Sequence, residues 1–282
     1  MSLAQAAVLA LIQGLTEFIP ISSSAHLALA PWLLGWPDQG LAFDIALHFG
    51  TLLAVILYFF RDWVQVIANG LGFQMEGNPE YRRNRMLLWL LAAASLPIGV
   101  FGLLFKHAAE TTLRNPFVIG TMLILIALVM EIAERMGRQQ KRMDHVNFLD
   151  AMVIGFAQAL AIVPGTSRSG ITISAGLLQN LDRATAARFS FMLSTPAVAA
   201  AAAKAFLDLY KQGGIPEGML GSFVLGVALS ALSGSFAIAF LMNWLRTNTL
   251  RPFVYYRIVF GLFILVLAFL RGPMPAAVTS AP

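Results

Sequence analysis

Two short polar segments interrupt apolar stretches of this chain and hold most of the residues that can do chemistry. The first is QGLTEFIPISSSAH at 13–26, which contains a carboxylate, three serine hydroxyls and an imidazole. Gln13 and Glu17 are four residues apart and so share one helix face, while Ser23 and His26 are three apart beyond the proline. The segment therefore combines a nucleophile, a base and an acid.

The second polar segment is PGTSRSG at 164–170, which runs into an apolar helix. Small residues before a helix start leave backbone N–H groups free to bind an anion, and the helix dipole adds positive potential there. Arg168 supplies a permanent charge whose planar donors suit phosphate oxygens. This segment predicts a phosphate site. If the two segments meet, the combination suits phosphoryl transfer or hydrolysis.

The composition excludes a soluble globular protein. Of 282 residues, 58% are hydrophobic and 12% are charged, about half the usual 25% charged fraction of soluble domains. The net charge of +5 comes from clusters between apolar runs, so we expect topology signals rather than a nucleic-acid surface. With no cysteine, a disulfide, a thiolate nucleophile and a cysteine metal site are excluded.

A helix needs about 20 mostly apolar residues to cross a bilayer. Six segments meet this test: 42–60, 87–106, 116–135, 185–206, 219–244 and 253–271. Two further apolar stretches, 3–30 and 148–179, contain the polar segments. Neither half of these stretches is long enough to cross, so we expect re-entrant hairpins that line a polar site.

A weak internal repeat divides the chain in two. TLRNPFV at 112–118 returns as TLRPFV at 249–254, and Pro20 and Pro164 are 144 positions apart. We predict an all-α polytopic membrane protein, a single membrane domain over 1–282. It is made of two inverted repeats, 1–140 and 141–282, each with one re-entrant helical hairpin and three transmembrane helices.

Counting from the aligned prolines predicts which residues of the two halves correspond. Ser23 then corresponds to Ser167, and Ser24 corresponds to Arg168. The acid and the imidazole occur in the first half alone, and the guanidinium in the second. A symmetric carrier needs no such asymmetry.

Basic residues predict the orientation in the membrane. Eight lysines and arginines lie in the loop at 61–85 and the linker at 135–147, which are expected on one side. The positive-inside rule makes that side cytoplasmic and places both termini outside. The first hairpin then enters from outside and the second from inside.

Several other polar residues are expected to have structural roles. A role in the site is open for Asp44 and His48, four residues apart, but an interfacial or helix-positioning role is favoured; we interpret His107 and His145 as solvated surface. A Glu17–Arg168 ion pair with a purely structural role is also open. We expect five serines to contribute to helix packing: Ser95, Ser222, Ser230, Ser233 and Ser235.

Three segments resemble those of a known family. QGLTEFIPISSSAH at 13–26 and PGTSRSG at 164–170 are similar to two motifs of the undecaprenyl-diphosphate phosphatase family, known for bacitracin resistance. FDIALHFGTLLA at 43–54 resembles a third family segment. Gln13 stands where some members have Glu, and Ala25 stands where a Gly is common.

The resemblance implies a bacterial inner-membrane enzyme, with its site facing the periplasm or exterior, that removes the terminal phosphate of a C55 isoprenyl diphosphate. It implies a polyprenyl diphosphate lipid and the bilayer as partners, and Mg²⁺ or Ca²⁺ as a cofactor; nucleic acid is not expected, and a homodimer is an assembly to test. The matching catalytic set is Glu17, Ser23, His26 and Arg168. The matching substrate-binding set is Gln13, Ser24, Thr166, Ser167 and Ser169.

Two questions stay open at the level of the sequence. Either Ser23 or His26 can be the group that attacks phosphorus, with Glu17 as acid, base or metal-side carboxylate. Two other classes of function are a transporter or flippase of a phosphorylated lipid, which the inverted repeat favours, and a non-catalytic assembly protein.

Overall fold

A computed structural model describes residues 1–105, 107–108, 111–211, 214–215 and 218–272. Within these residues the regular elements are helical, and no strand forms. The helices before residue 137 are α1 (Leu3–Phe18), α2 (Ser23–Leu34), α3 (Leu41–Tyr58), α4 (Phe60–Gly70), α5 (Pro79–Arg83), α6 (Leu87–Leu104) and α7 (Pro116–Met136). Those after it are α8 (Phe148–Ala159), α9 (Arg168–Leu178), α10 (Arg183–Lys211), α11 (Leu220–Trp244) and α12 (Arg251–Arg271), with 3₁₀ turns at Met143–His145 and Leu160–Ile162.

Five of these helices are long and apolar enough to cross a membrane: α6, α7, α10, α11 and α12. Their outward faces carry large apolar side chains, such as Leu103 and Phe269, as lipid contact requires. The helix predicted at 42–60 ends at Tyr58, because the chain bends by 71° between α3 and α4. Counting that bent pair as one span gives six. The chain is thus an all-helical, multi-pass membrane protein; predicted span residue 106 lies outside the described residues.

The two interrupted stretches each form a short helix, a turn and a second helix. Capping boxes begin the first helices, with Ser2 and Gln5 at α1 and Asn147 and Asp150 at α8. These helices have 16 and 12 residues, fewer than a crossing needs. We call residues 19–22 the first turn and residues 163–167 the second turn.

The two turns end in the same local geometry. Ser22 and Ser167 both have positive φ angles, 78° and 68°, which is unusual for residues with a Cβ. Each caps the following helix: Ser22 Oγ accepts from the Ala25 N–H at 3.4 Å, and Ser167 Oγ accepts from the Gly170 N–H at 3.2 Å. Ser22 thus matches Ser167 in local geometry.

This match corrects the correspondence predicted from the prolines by one residue. Ser23 and Arg168 are the first residues of α2 and α9, so they correspond to each other. The same register pairs Gln13 with Gln158, two fully buried amides. The alignment on the prolines is shifted because Pro20 lies two residues before Ser22, whereas Pro164 lies three residues before Ser167.

The short first helices pack closely against long helices from the other part of the chain. α1 packs on α11, and α8 packs on α6. Both contacts depend on glycine: a Cβ on Gly14 would lie 2.7 Å from the Ser230 carbonyl oxygen, and one on Gly155 would lie 2.4 Å from the Ala94 carbonyl oxygen. Small residues let helix backbones approach in this way inside membranes.

Candidate active site

Glu17, in the last turn of α1, is the centre of the polar site. Its Oε2 accepts hydrogen bonds from Ser23 Oγ at 2.5 Å and from Gln13 Nε2 at 3.0 Å. Its Oε1 accepts from Arg168 Nη2 of α9, 151 positions along the chain. Glu17 therefore joins the two polar segments, as the sequence predicts, and does so through both carboxylate oxygens.

The two turns lie in direct contact around this carboxylate. The Gly165 N–H donates to Ser24 Oγ at 3.4 Å, and Ser169 Oγ donates to the Ile19 carbonyl at 3.4 Å. Each hydroxyl comes from one turn–helix junction and reaches the backbone of the other. The starts of α2 and α9 are thereby brought together.

Free backbone donors surround the junction of the two helices. The N–H groups of Ser23, Ser24, Arg168 and Ser169 have no acceptor in the described part of the chain, because they belong to first helical turns. Two helix dipoles add positive potential at the same place. This arrangement can bind an anion with several oxygens.

Arg168 is only partly used by its ion pair. Its Nη2 contacts Glu17, while Nε and Nη1 have no acceptor within the described residues. The side chain is 19% exposed, against 5% for Glu17. Its remaining donors can bind other acceptors, such as phosphate oxygens.

A small cavity adjoins the ion pair on the side of α10. It has a volume of about 10 Å³, room for about one water molecule, and is lined by Glu17, Phe18, Arg168, Ser169, Ser190, Phe191 and Ser194. Polar groups on the α9 and α10 sides make it suitable for water.

His26 lies away from the carboxylate. Its Nδ1 is 2.7 Å from the Ser22 carbonyl oxygen, so Nδ1 carries the proton and donates it. Its Nε2 is 2.7 Å from the Tyr256 hydroxyl, and the ring stacks on Phe260. With both nitrogens engaged, the ring contacts α12 rather than Ser23 in this structure.

His48 enters the site, although the sequence favours an interfacial or helix-positioning role for it. Its Nε2 is 3.7 Å from Glu17 Oε2, and its Nδ1 donates to the Asp44 carbonyl at 2.7 Å. Asp44 itself accepts from Gln39 and faces Arg114, away from Glu17. The available signal was the FDIALHFG segment, whose resemblance to the family pointed to its polar residues.

The predicted binding residues occupy three different environments. Gln13 and Ser24 contact the site directly, as described above. Ser167 Oγ lies 3.2 Å from Ser169 Oγ within the second turn. Thr166 is fully buried, and its hydroxyl has no partner in the described residues.

The predicted structural residues are found in structural environments. Ser95, Ser230, Ser233 and Ser235 donate to the carbonyl four residues earlier, and Ser222 is buried. His107 and His145 are exposed. These expectations are confirmed.

Few side chains at the site could bind a metal ion. Among the described residues no group of three His, Asp or Glu side chains converges. Glu17 offers one carboxylate, already shared with Arg168 and Ser23. A divalent cation here would be held chiefly by substrate oxygens and water, a pattern that suits Mg²⁺.

The fold and the site together define an integral membrane protein with a serine–carboxylate–arginine cluster between two helix starts, in which the carboxylate is buried and the other two groups are half-buried. Residues 6–263 match the family model described as bacitracin resistance protein BacA, and the chain belongs to that family. The resemblance in the sequence motifs is thereby confirmed.

Named relatives match over almost their whole lengths. The undecaprenyl-diphosphatase of Moorella thermoacetica is 46% identical over 271 residues, 96% of this chain and 100% of the relative. Those of Desulforudis audaxviator and Chlorobaculum parvum are 47% and 42% identical, and both alignments cover 97% of the relative. They cover 94% and 95% of this chain.

Proposed function

We propose that this protein is a membrane-integral phosphatase that hydrolyses undecaprenyl diphosphate to undecaprenyl phosphate and inorganic phosphate, which recycles the lipid carrier for cell-wall synthesis. The observation that carries the proposal is the Ser23 hydroxyl bonded to Glu17, next to an arginine with free donors. The relatives named undecaprenyl-diphosphatase, at 42% to 47% identity, support it.

Binding precedes the chemistry. The diphosphate places its oxygens on the free donors of Arg168 and on the first-turn N–H groups of α2 and α9. These donors are fixed by the fold, so they stabilise charge on the phosphoryl group without reorganising. The apolar prenyl chain stays in the bilayer.

The chemical step begins at Ser23. Glu17 Oε2 takes the hydroxyl proton as Ser23 Oγ attacks the terminal phosphorus. A phosphorus–oxygen bond to Ser23 forms, and the bond to the bridging oxygen breaks, so undecaprenyl phosphate leaves with the bonding electron pair. Water then attacks the phosphorus of the phosphoserine, the bond from phosphorus to Ser23 Oγ breaks, Glu17 returns its proton to Ser23 Oγ, and inorganic phosphate departs with the protons of the water.

Ser23 is preferred to His26 as the attacking group. The Ser23 hydroxyl points at a carboxylate that can accept its proton, at 2.5 Å. His26 would first have to leave Ser22 and Tyr256. We therefore assign His26 to holding the first turn against α12.

A divalent cation is proposed to assist substrate binding. When bound, Mg²⁺ or Ca²⁺ would neutralise charge on the diphosphate. Glu17 is the side chain that would face it.

The architecture of two inverted repeats, 1–140 and 141–282, each with a re-entrant hairpin, is part of the proposal. The equal geometry of Ser22 and Ser167 supports it, as does the paired packing of α1 on α11 and α8 on α6. In a two-fold arrangement α6 corresponds to α11, so these two contacts are equivalent. We place the cytoplasmic face at the arginine-rich 61–85 loop and 135–147 linker, and the site towards the exterior of the inner membrane.

The same repeat favours a second candidate, a carrier of phosphorylated polyprenyl lipid. The asymmetry of the site argues for the enzyme, because Glu17 and Arg168 have no ionisable counterparts in the other half: Ile162 and Ser23 occupy those positions.

Phosphate release by purified protein in detergent separates the two candidates. The assay is run on C15 and C55 diphosphates, with Ser23→Ala as the matched control. The phosphatase releases one phosphate per lipid, whereas a carrier releases none.

A further inference from the structure

Arg257 of α12 is a fully buried arginine that the proposed chemistry does not use. Its guanidinium donates hydrogen bonds to backbone carbonyls from three parts of the chain. The acceptors are the carbonyl oxygens of Leu123 (3.1 Å), Pro20 (3.3 Å), Met122 (3.3 Å), Gly165 (2.8 Å) and Thr166 (3.0 Å). Arg257 thus contacts the first turn, the second turn and α7 at once.

These acceptors explain why a charged group is retained at this depth. A buried charge is costly unless its donors are satisfied, and Arg257 has no carboxylate partner among the described residues. The turn carbonyls have the converse need, because the helices are broken there and no water replaces the missing bonds. The Nε, Nη1 and Nη2 nitrogens of one planar group satisfy both needs.

The bonds to the second turn also fix the direction of neighbouring donors. In a planar trans peptide the carbonyl and the next N–H point in opposite directions. Because the Thr166 carbonyl points at Arg257, the Ser167 N–H points away from it. The positive φ of Ser167 needs such external support, since a residue with a Cβ does not favour it.

We infer that Arg257 is a positioning residue that holds the two turns in register, so that Ser23 and Glu17 meet Arg168. This inference rests on the proposed phosphatase function. Pro20 lies three residues before Ser23, and Thr166 lies two before Arg168, so one guanidinium spans both approaches to the site. The planar geometry of the Arg257 guanidinium, rather than its charge, is the property that positions the two turns.

Arg257→Lys separates geometry from charge. Lysine keeps the charge, but its ammonium is a single point with three donors and cannot bridge carbonyls of both turns and α7. We expect kcat per folded molecule to fall about 100-fold, the size of effect that follows a misplacement of about 1 Å. KM should change much less, because Arg168 and the helix N–H groups remain.

Arg251→Lys is the matched control, with the same substitution six residues earlier on the same helix. Arg251 is about half exposed and pairs loosely with Glu131 at 3.5 Å, so the control should keep wild-type kcat. A second variant, Arg257→Gln, removes the charge and keeps a planar donor, and it should lose as much activity as Arg257→Lys. The folded fraction of each is measured by size-exclusion chromatography and thermal melting.

Three results would overturn the inference, and a fourth would overturn the proposed function. Wild-type kcat per folded molecule in Arg257→Lys would overturn the inference, and so would loss of the folded fraction in both Arg257 variants, which would make Arg257 a scaffold residue. Normal activity in Arg257→Gln alone would show that geometry is not required. If the wild-type protein itself releases no phosphate, the proposed function fails instead.

Discussion

The Ser23 hydroxyl donates a 2.5 Å hydrogen bond to Glu17 Oε2, across a turn that separates the two residues by six positions. The helix break makes this contact possible, because residues six apart on a continuous helix lie on different faces. The same carboxylate pairs with Arg168 through its other oxygen. One acid therefore connects the Ser23 hydroxyl to the Arg168 guanidinium.

Ser23→Ala should abolish phosphate release. Without the hydroxyl, no phosphoryl acceptor faces Glu17, and we expect kcat to fall by at least about 1,000-fold. Ser95→Ala is the matched control, since the Ser95 hydroxyl donates to the Leu91 carbonyl of its own helix and does not contact Glu17. Initial rates of phosphate release measure both. Equal losses in the two variants would argue against a distinct role for Ser23.

Arg168→Lys should impair turnover although the charge is kept. Lysine can pair with Glu17 or with the substrate, but it lacks the planar fork that does both. We expect a loss of about 100-fold or more in kcat/KM. Arg83→Lys, at an exposed pair with Asp144, should have no effect. Near-normal turnover in Arg168→Lys would count against two-point binding of phosphate oxygens by Arg168.

His48→Gln tests a residue that the sequence did not place in the site. Its Nε2 is 3.7 Å from Glu17 Oε2, beyond a good hydrogen bond but close enough to orient the carboxylate electrostatically. We expect a loss of roughly 10-fold in kcat, corresponding to about 1.4 kcal/mol. His107→Gln, on the exposed surface, is the control. A rate unchanged from wild type would restore the interfacial interpretation of His48.

The sidedness can be tested by cysteine labelling, because the chain has no cysteine of its own. Gln74 is exposed in the arginine-rich loop, and His107 is exposed between α6 and α7, so the variants Gln74→Cys and His107→Cys report on the two sides. A membrane-impermeant maleimide applied to intact cells should label position 107 and spare position 74 until the cells are opened. The opposite pattern would reverse the proposed orientation.

The local features of this molecule and the long-range meeting of Glu17 with Arg168 could be predicted from the sequence, whereas the contacts of Arg257 could not. The spans follow from apolar runs such as 219–244, and Glu17 and Ser23 share a polar segment. Arg257 is visible as a charge inside the apolar run 253–271, but its partners, backbone carbonyls up to 237 positions away, leave no pattern in the sequence.

Two predictions near the site were limited for physical reasons. The correspondence of Ser23 with Arg168 depends on helix starts rather than on prolines, so it became clear only from the φ angles of Ser22 and Ser167. His26 has the residue type of a base, but its ring direction depends on packing against Tyr256. Residue type and spacing do not determine which way a side chain turns.

Trapping the phosphorylated protein tests the central claim most directly. Purified wild-type protein is mixed with undecaprenyl diphosphate and quenched within one turnover in denaturant at neutral pH. The protein is then digested, and the phosphorylated residue is mapped by mass spectrometry. The His26→Gln variant is treated in parallel. The account predicts a phosphoryl group on Ser23 in both proteins. A phosphoryl group on His26 in the wild type, with none on Ser23, would contradict it.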